Sequence, residues 1–232
     1  MAILCGGRGT RLGGVSAEIP KALVEVGGRP LIWHVVSSYR RQGFDEFLFL
    51  TGHLGEQVAD YSASGELPAG GSYRAIATGE STPTGERLLR AREDLDSGTF
   101  CLTYVDGLAD LDLDAEVAFH RGHGRVGTIT LVQPRLQWGV AELEEDRVRG
   151  FTEKPVSDRW INGGFFCFEP AVFDWLKEGE SLERGPLEGL AAAGELRAFF
   201  HRGFWDCVDT YKDLLEVNGL CEKGEAPWLA PW

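Results

Sequence analysis

No apolar run in the 232 residues approaches the ~18 needed to cross a membrane, so no membrane span is expected. The N-terminus, MAILCGGRGT, lacks the basic stretch, long apolar core and cleavage site of a secretory signal. Cysteine is sparse: Cys5, Cys101, Cys167, Cys207 and Cys221 are odd in number, scattered and without a CxxC pair. A disulfide framework and a thiolate metal cluster are both disfavoured, and a reducing, cytoplasmic setting is expected. Positive charge is also short, with 23 basic against 36 acidic residues and a net charge of −13. A nucleic-acid-binding surface is usually basic overall, which argues against DNA or RNA as ligand. No GxSxG and no GKS or GKT occurs, and the glycines that follow the first strand are not spaced as GxGxxG. His34 reads as a satisfied structural residue on a helix. His120 and His123 read as flanking a turn, without a third ligand at metal spacing.

What is present is globular: 43% of residues are apolar and 25% charged, enough for one large domain that folds without a disulfide or metal staple. Ala2 to Cys5 reads as a short buried strand running into glycine. Pro30 to Gln42 has helical spacing, with Leu31, Ile32, Val35, Val36 and Tyr39 on one face and Gly43 at its end. Strands are expected over 46–51, 73–77 and 100–105, with helices over 54–61 and 85–94. That alternation predicts a parallel sheet covered on both faces, with ligands beyond the carboxyl ends of its strands. The second half predicts a strand at 127–133, a hairpin from 140–143 and 147–152, and a strand at 164–169. Helices follow at 170–177, 187–193 and 211–222, with a strand at 196–200. The tail, EAPWLAPW, is expected to pack as an irregular strap.

Gly6, Gly7, Arg8, Gly9, Thr10 and Arg11 follow the first strand directly. Glycines let backbone N–H groups approach and cradle phosphate oxygens, and the two arginines add the charge a triphosphate needs. Lys21 lies beside Pro20, one loop away. Asp106 ends a buried strand with Gly107 behind it, a place for a carboxylate that holds a divalent cation; Mg2+ prefers few protein carboxylates and several phosphate or water oxygens. Glu153 and Lys154 end another strand, where a charged pair by itself reads as a surface salt bridge worth little.

The glycine turn with Pro20-Lys21 and Gly27-Gly28-Arg29-Pro30 resembles the signature of sugar-1-phosphate nucleotidyltransferases, also called sugar-nucleotide pyrophosphorylases. The resemblance runs nearly end to end. Thr78 to Leu88 (TGESTPTGERL), Thr103 to Gly107 (TYVDG), Phe151 to Pro155 (FTEKP), Trp160 to Phe166 (WINGGFF) and Val208-Asp209-Thr210 are most like the subgroup that joins CTP to glucose 1-phosphate. Two residues depart from the pattern: Ala22 follows the lysine where the family has proline, and Val105 replaces the glycine before the aspartate. The link between Tyr61 and Tyr73 is short where that subgroup carries a longer insertion, so its oligomeric state does not carry over, and a homo-oligomer stays open.

The resemblance implies a Rossmann-like, mostly parallel α/β sheet with helices on both faces and a small β-rich sugar-binding subregion. One domain over 1–232 is implied, with 1–125 mainly nucleotide-binding, 126–210 mainly sugar-phosphate-binding and 211–232 a C-terminal helix and strap. It implies catalytic roles for Arg11, Lys21, Asp106 and Lys154. Gly6, Gly7, Gly9, Thr10, Gly79, Glu80, Gly85 and Arg87 would bind the nucleotide, with Arg87 reading the base. Gly139, Glu153, Lys154, Asn162 and Gly163 would bind the sugar phosphate. Asp106 and Asp209 would hold Mg2+. The implied partners are CTP and a sugar 1-phosphate, without nucleic acid or membrane. Other nucleoside triphosphates, other sugar or cyclitol phosphates, a non-catalytic nucleotide-sugar-binding regulator and a nicotinamide-dependent oxidoreductase remain alternatives.

Overall fold

Strand β1 (Ala2–Cys5) shows how the fold is assembled, because its four side chains alternate between two cores. Ile3 and Cys5 face one cluster, with Val35, Val36 and Tyr39 of helix α1 (Leu31–Arg41). Ala2 and Leu4 face the other, with Leu88 of α3 (Thr84–Arg90), the 310 turn Pro170–Trp175 and α6 (Pro186–Ala192). The period of two along a strand buried on both sides explains why it reads as a continuous apolar run. The computed structural model describes residues 1–9, 11–12 and 18–230.

The central sheet adds β4 (Glu46–Thr51), β5 (Ser72–Ala77), β6 (Phe100–Tyr104), β8 (Gly127–Val132), β11 (Ile161–Phe168) and β12 (Leu196–Phe200). Its order is β12-β8-β11-β6-β1-β4-β5. Six strands share one direction, and β11 runs against both of its neighbours. The expected mostly parallel α/β sheet with helices on both faces is therefore what forms. Strands from both the expected nucleotide part and the expected sugar part share it. The β-rich addition is the hairpin of β9 (Val140–Glu144) and β10 (Arg147–Thr152), which exposes Leu143, Val148 and Phe151.

A third cluster sits beneath the strand ends and positions the site. Leu12, Val24, Val26 and Leu31 meet Leu108, Val208, Leu214, Val217 and Trp228 there. It joins β2 (Glu25–Val26), β3 (Arg29–Pro30), β7 (Gly107–Ala109), β13 (Trp205–Cys207) and α7 (Tyr211–Lys223). The tail does pack as a strap: Trp228 is 1% exposed, and its indole N–H donates to Nδ1 of His34. Nε2 of His34 meets the Val26 carbonyl at 2.8 Å, which fixes the neutral tautomer and the structural role expected for it.

Several local expectations need correction. His120 and His123 do not flank a turn; they lie in the last turn of α5 (Leu113–His123), where both meet the Thr128 hydroxyl. This helix was missed because its apolar positions are few; Asp112 caps it through Ala115 N–H. The helix expected over 85–94 breaks at Ala91 into α3 and α4 (Arg92–Leu95). The segment after Pro170 is 310, and the helix after Leu54 is α2 (Gly55–Ala63), begun by Leu54 in the left-handed region. Among the described residues no helix is long and apolar enough to cross a membrane.

Glu116 of α5 is fully buried; Oε1 accepts from the Thr130 hydroxyl at 2.5 Å and Oε2 has no partner. Burial pushes its carboxyl up to about 7, against the weaker pull of Thr130. The folded state then holds a proton that the unfolded chain releases near pH 4.3, so stability falls as pH rises from about 4 to 7 and levels off above. Glu116→Gln removes this term. Urea unfolding at a series of pH values is expected to show the variant gaining on the wild type over that window, by roughly 3 kcal/mol. A stability gap independent of pH contradicts the buried, protonated assignment.

Candidate active site

The ends of β1, β4 and β5 converge on one guanidinium. Arg87 of α3 is 4% exposed. Its Nη1 donates to the Thr51 carbonyl, the Thr78 hydroxyl and the Gly79 carbonyl, and its Nη2 to the carbonyls of Gly6 and Glu80. Glycine is needed around it: a Cβ on Gly6 would stand 2.2 Å from Arg87 Cζ, and one on Gly52 would stand 2.5 Å from Nη1. Arg87 thus bolts the glycine turn to the Gly79–Glu80 segment. Both terminal nitrogens donate to the protein, although the side chain still borders the cavity above.

That cavity has a volume of about 350 Å³ and is walled by Gly6, Gly7, Lys21, Thr82, Pro83, Thr84, Arg87, Tyr104, Asp106, Ser181 and Glu183. At one end Lys21 Nζ donates to Asp106 Oδ2 at 2.6 Å and to Asp209 Oδ1 at 3.1 Å. Asp209 also pairs with Arg11. Burial alone would lower the Lys21 ammonium, but the charge and hydrogen bond of Asp106, with Asp209, outweigh it and hold it above its ordinary value. Four of the expected residues, Arg11, Lys21, Asp106 and Asp209, therefore form one ion-pair chain. The two carboxylates offer hard oxygen ligands at a partly exposed place. No group of three or more His, Cys, Asp or Glu able to hold a metal occurs among the described residues. The donor set fits a hard divalent cation that takes its remaining ligands from phosphate and water.

The other expected residues divide into groups. Gly7 leaves open space where a Cβ would stand, and Gly9 has a φ of 59° and accepts from Leu12 N–H. Thr10 lies outside the described residues. Glu80 is exposed and pairs with Arg8 at 2.9 Å and His53 at 3.3 Å. Gly79 has a φ of 96°, which suits glycine. Gly85 packs on backbone, since its Cβ would lie 2.8 Å from the Glu180 carbonyl oxygen. It is what lets the loop before α6 form a cavity wall.

The expected sugar residues are spread along one side. Gly139 lies against the Phe151 ring and the Glu153 carboxylate, at the base of the hairpin. Lys154, with a φ of 47°, lines a separate 470 Å³ cavity with Gln133, Arg135, Trp205 and Lys212. Asn162 Oδ1 accepts from Gly164 N–H, and the Gly163 carbonyl accepts from the Trp205 indole. The structure does not place Lys154 in the cavity of Lys21 and Asp106. The reading from sequence passed over Ser181 and Glu183, because SLERGP carries no motif.

A glycine turn after a central strand, a lysine between two aspartates and a cavity beyond the strand ends define a phosphate-handling α/β enzyme. The chain belongs to the nucleotidyl transferase family, whose pattern it matches over residues 1–224. It is a sugar-1-phosphate nucleotidyltransferase in type. It is 38% identical over 249 residues to the glucose-1-phosphate cytidylyltransferase of Salmonella typhi, covering 97% of both chains. It is 32% identical over 231 residues to the mannose-1-phosphate guanylyltransferase catalytic subunit beta of Xenopus tropicalis, covering 94% of this chain and 63% of that one. In fold it superposes on apo UDP-glucose pyrophosphorylase with a TM-score of 0.74 at 15% identity, covering 96% and 98%.

The Gly6–Arg87 contact generates a test. Gly6→Ala should displace the guanidinium and lower kcat/KM for the nucleoside triphosphate about a hundredfold, a cost of roughly 3 kcal/mol. Arg87→Ala should cost a similar amount. Because both act through one contact, the double variant should be little worse than either single one. Losses that multiply in steady-state kinetics would show the two residues acting separately.

Proposed function

We propose that this chain transfers a cytidylyl group from CTP to glucose 1-phosphate, forming CDP-glucose and pyrophosphate. The observation that carries the reading is Lys21 held between Asp106 and Asp209 beside the Gly6–Gly7 turn. Support for the choice of substrates comes from the relative of that activity aligned over 97% of both chains.

An oxygen of the sugar phosphate attacks the α-phosphorus of CTP in line; a P–O bond forms to it, the bond to the β-phosphate bridging oxygen breaks, and pyrophosphate leaves with that electron pair. The nucleophile is already anionic at neutral pH, so no strong base and no covalent enzyme intermediate are needed. The difficulty is bringing two polyanions together, which makes positioning and charge neutralisation the main tasks. In this reading Arg11 and Lys21 face the triphosphate, and the Gly6, Gly7 and Gly9 backbone cradles it. Thr10, which follows Gly9 in sequence, is assigned to the nucleotide with them. Gly79, Glu80 and Gly85 belong to the segment that reads base and ribose, held up by Arg87. Glu153, Asn162, Gly139 and Gly163 serve the sugar, and Lys154 its phosphate. Asp106 and Asp209 would hold Mg2+, which supplies further neutralisation of phosphate charge when bound.

The 32% relationship to a guanylyl enzyme favours a second reading, in which another nucleotide is used. Pyrophosphate release with CTP, UTP, dTTP, GTP and ATP, each against glucose 1-phosphate and mannose 1-phosphate, decides between them. CTP with glucose 1-phosphate is expected to be the best pair, with roughly ten- to hundred-fold lower efficiency for UTP. A clear preference for GTP or dTTP removes the cytidylyl assignment and leaves the nucleotidyltransferase.

A further inference from the structure

Opposite Lys21 and Asp106, the same cavity is closed by a half-buried carboxylate that the proposed mechanism leaves unused. Glu183 accepts from the Tyr104 hydroxyl at Oε1 and from the Thr84 hydroxyl at Oε2, 2.8 Å away. Among the described residues no lysine, arginine or histidine forms an ion pair with it. Both supporting hydroxyls are themselves fixed. Thr84 accepts from Leu182 N–H at 2.9 Å, and the Tyr104 ring stands edge-on to Phe166 with centroids 5.9 Å apart. Burial, with the neighbouring Glu183 charge, pushes the Tyr104 phenol up, so it stays a donor. An ionised carboxylate has about four lone-pair sites. Two are used here, and the remainder adjoin the cavity.

We propose that Glu183 is a specificity-determining residue that accepts a hydrogen bond from a neutral donor on the substrate. Taking a carboxylate out of water without a cation is unfavourable. Two neutral hydroxyls orient it but do not neutralise it, and an amide would serve as well if fastening were its only task. Its place joins two functional walls: Thr84 belongs to the expected base-reading segment, and the Tyr104 ring packs on Gly164, next to Gly163 of the expected sugar side. Two donors have the required chemistry, the exocyclic amino group of cytosine and a hydroxyl of the hexose. The inference rests on the proposed cytidylyl reading for the identity of these donors, not for the existence of the acceptor.

Glu183→Gln tests it by ratios rather than absolute rates. Wild type and variant are compared with CTP against UTP, and separately with glucose 1-phosphate against its 2-, 3-, 4- and 6-deoxy analogues. If the cytosine amino group is the donor, the CTP-to-UTP ratio of kcat/KM falls at least tenfold and the sugar ratios stay fixed. If a hexose hydroxyl is the donor, preference over one deoxy analogue falls at least tenfold and the nucleotide ratio stays fixed. Every ratio within twofold of wild type overturns the proposal, whatever the absolute activity. Tyr104→Phe keeps the carboxylate and loosens its support; it should move the same ratio in the same direction, and it serves in place of Glu183→Gln if that variant does not fold. If the wild type prefers a pair other than CTP and glucose 1-phosphate, the cytidylyl reading has failed. The Glu183 ratios are then taken with that pair and with analogues lacking each of its donor groups.

Discussion

One ammonium group organises the site. Lys21 opens the 310 turn Lys21–Leu23, Asp106 follows β6, and Asp209 follows β13, yet both carboxylates bond the same Nζ. Without that charge two carboxylates so close would repel each other. The third hydrophobic cluster brings these segments together by burying Leu12, Val24 and Val208 around them. The apolar burial sets the distances, and the lysine makes the resulting charge pattern tolerable. A chain with a net charge of −13 can therefore build a local site for polyanions.

The second constraint is the way Arg87 is used. Buried backbone carbonyls need donors, and five oxygens around the nucleotide loops accept from this one side chain. The loops acquire a fixed floor. Gly85 does comparable work on the opposite wall, by letting the loop at residues 180–182 approach and carry Glu183 into place.

The order of strands and helices to residue 105 is legible because strands buried on both faces read as apolar runs and α1 has a clear apolar stripe. α5 is not, since it has only a few core-facing residues and a polar cap. The short strands β7 and β13 are also hidden. They are three residues each, and only their pairing with one another makes them strands. Lys21 with Asp106 and Asp209 could be found through motif resemblance, but their mutual contact could not, because it joins segments far apart in sequence. Arg87 shows the opposite limit. Its position in a motif implies a ligand contact, and only its burial and five protein acceptors show that it also holds the loops together. Glu183 had no local signal at all; its place depends on Gly85 and on hydroxyls from two other segments.

The most direct test of the account concerns the charge at the centre. Lys21→Met takes away the cation that Asp106 and Asp209 share and leaves Asp209 with Arg11 alone. Manganese binding without nucleotide, followed by electron paramagnetic resonance of the free ion, should then be at least tenfold tighter in the variant than in the wild type, because a competing positive charge has been removed. Equal or weaker manganese binding by a folded Lys21→Met protein would contradict the picture of one lysine holding two cation-binding carboxylates in place.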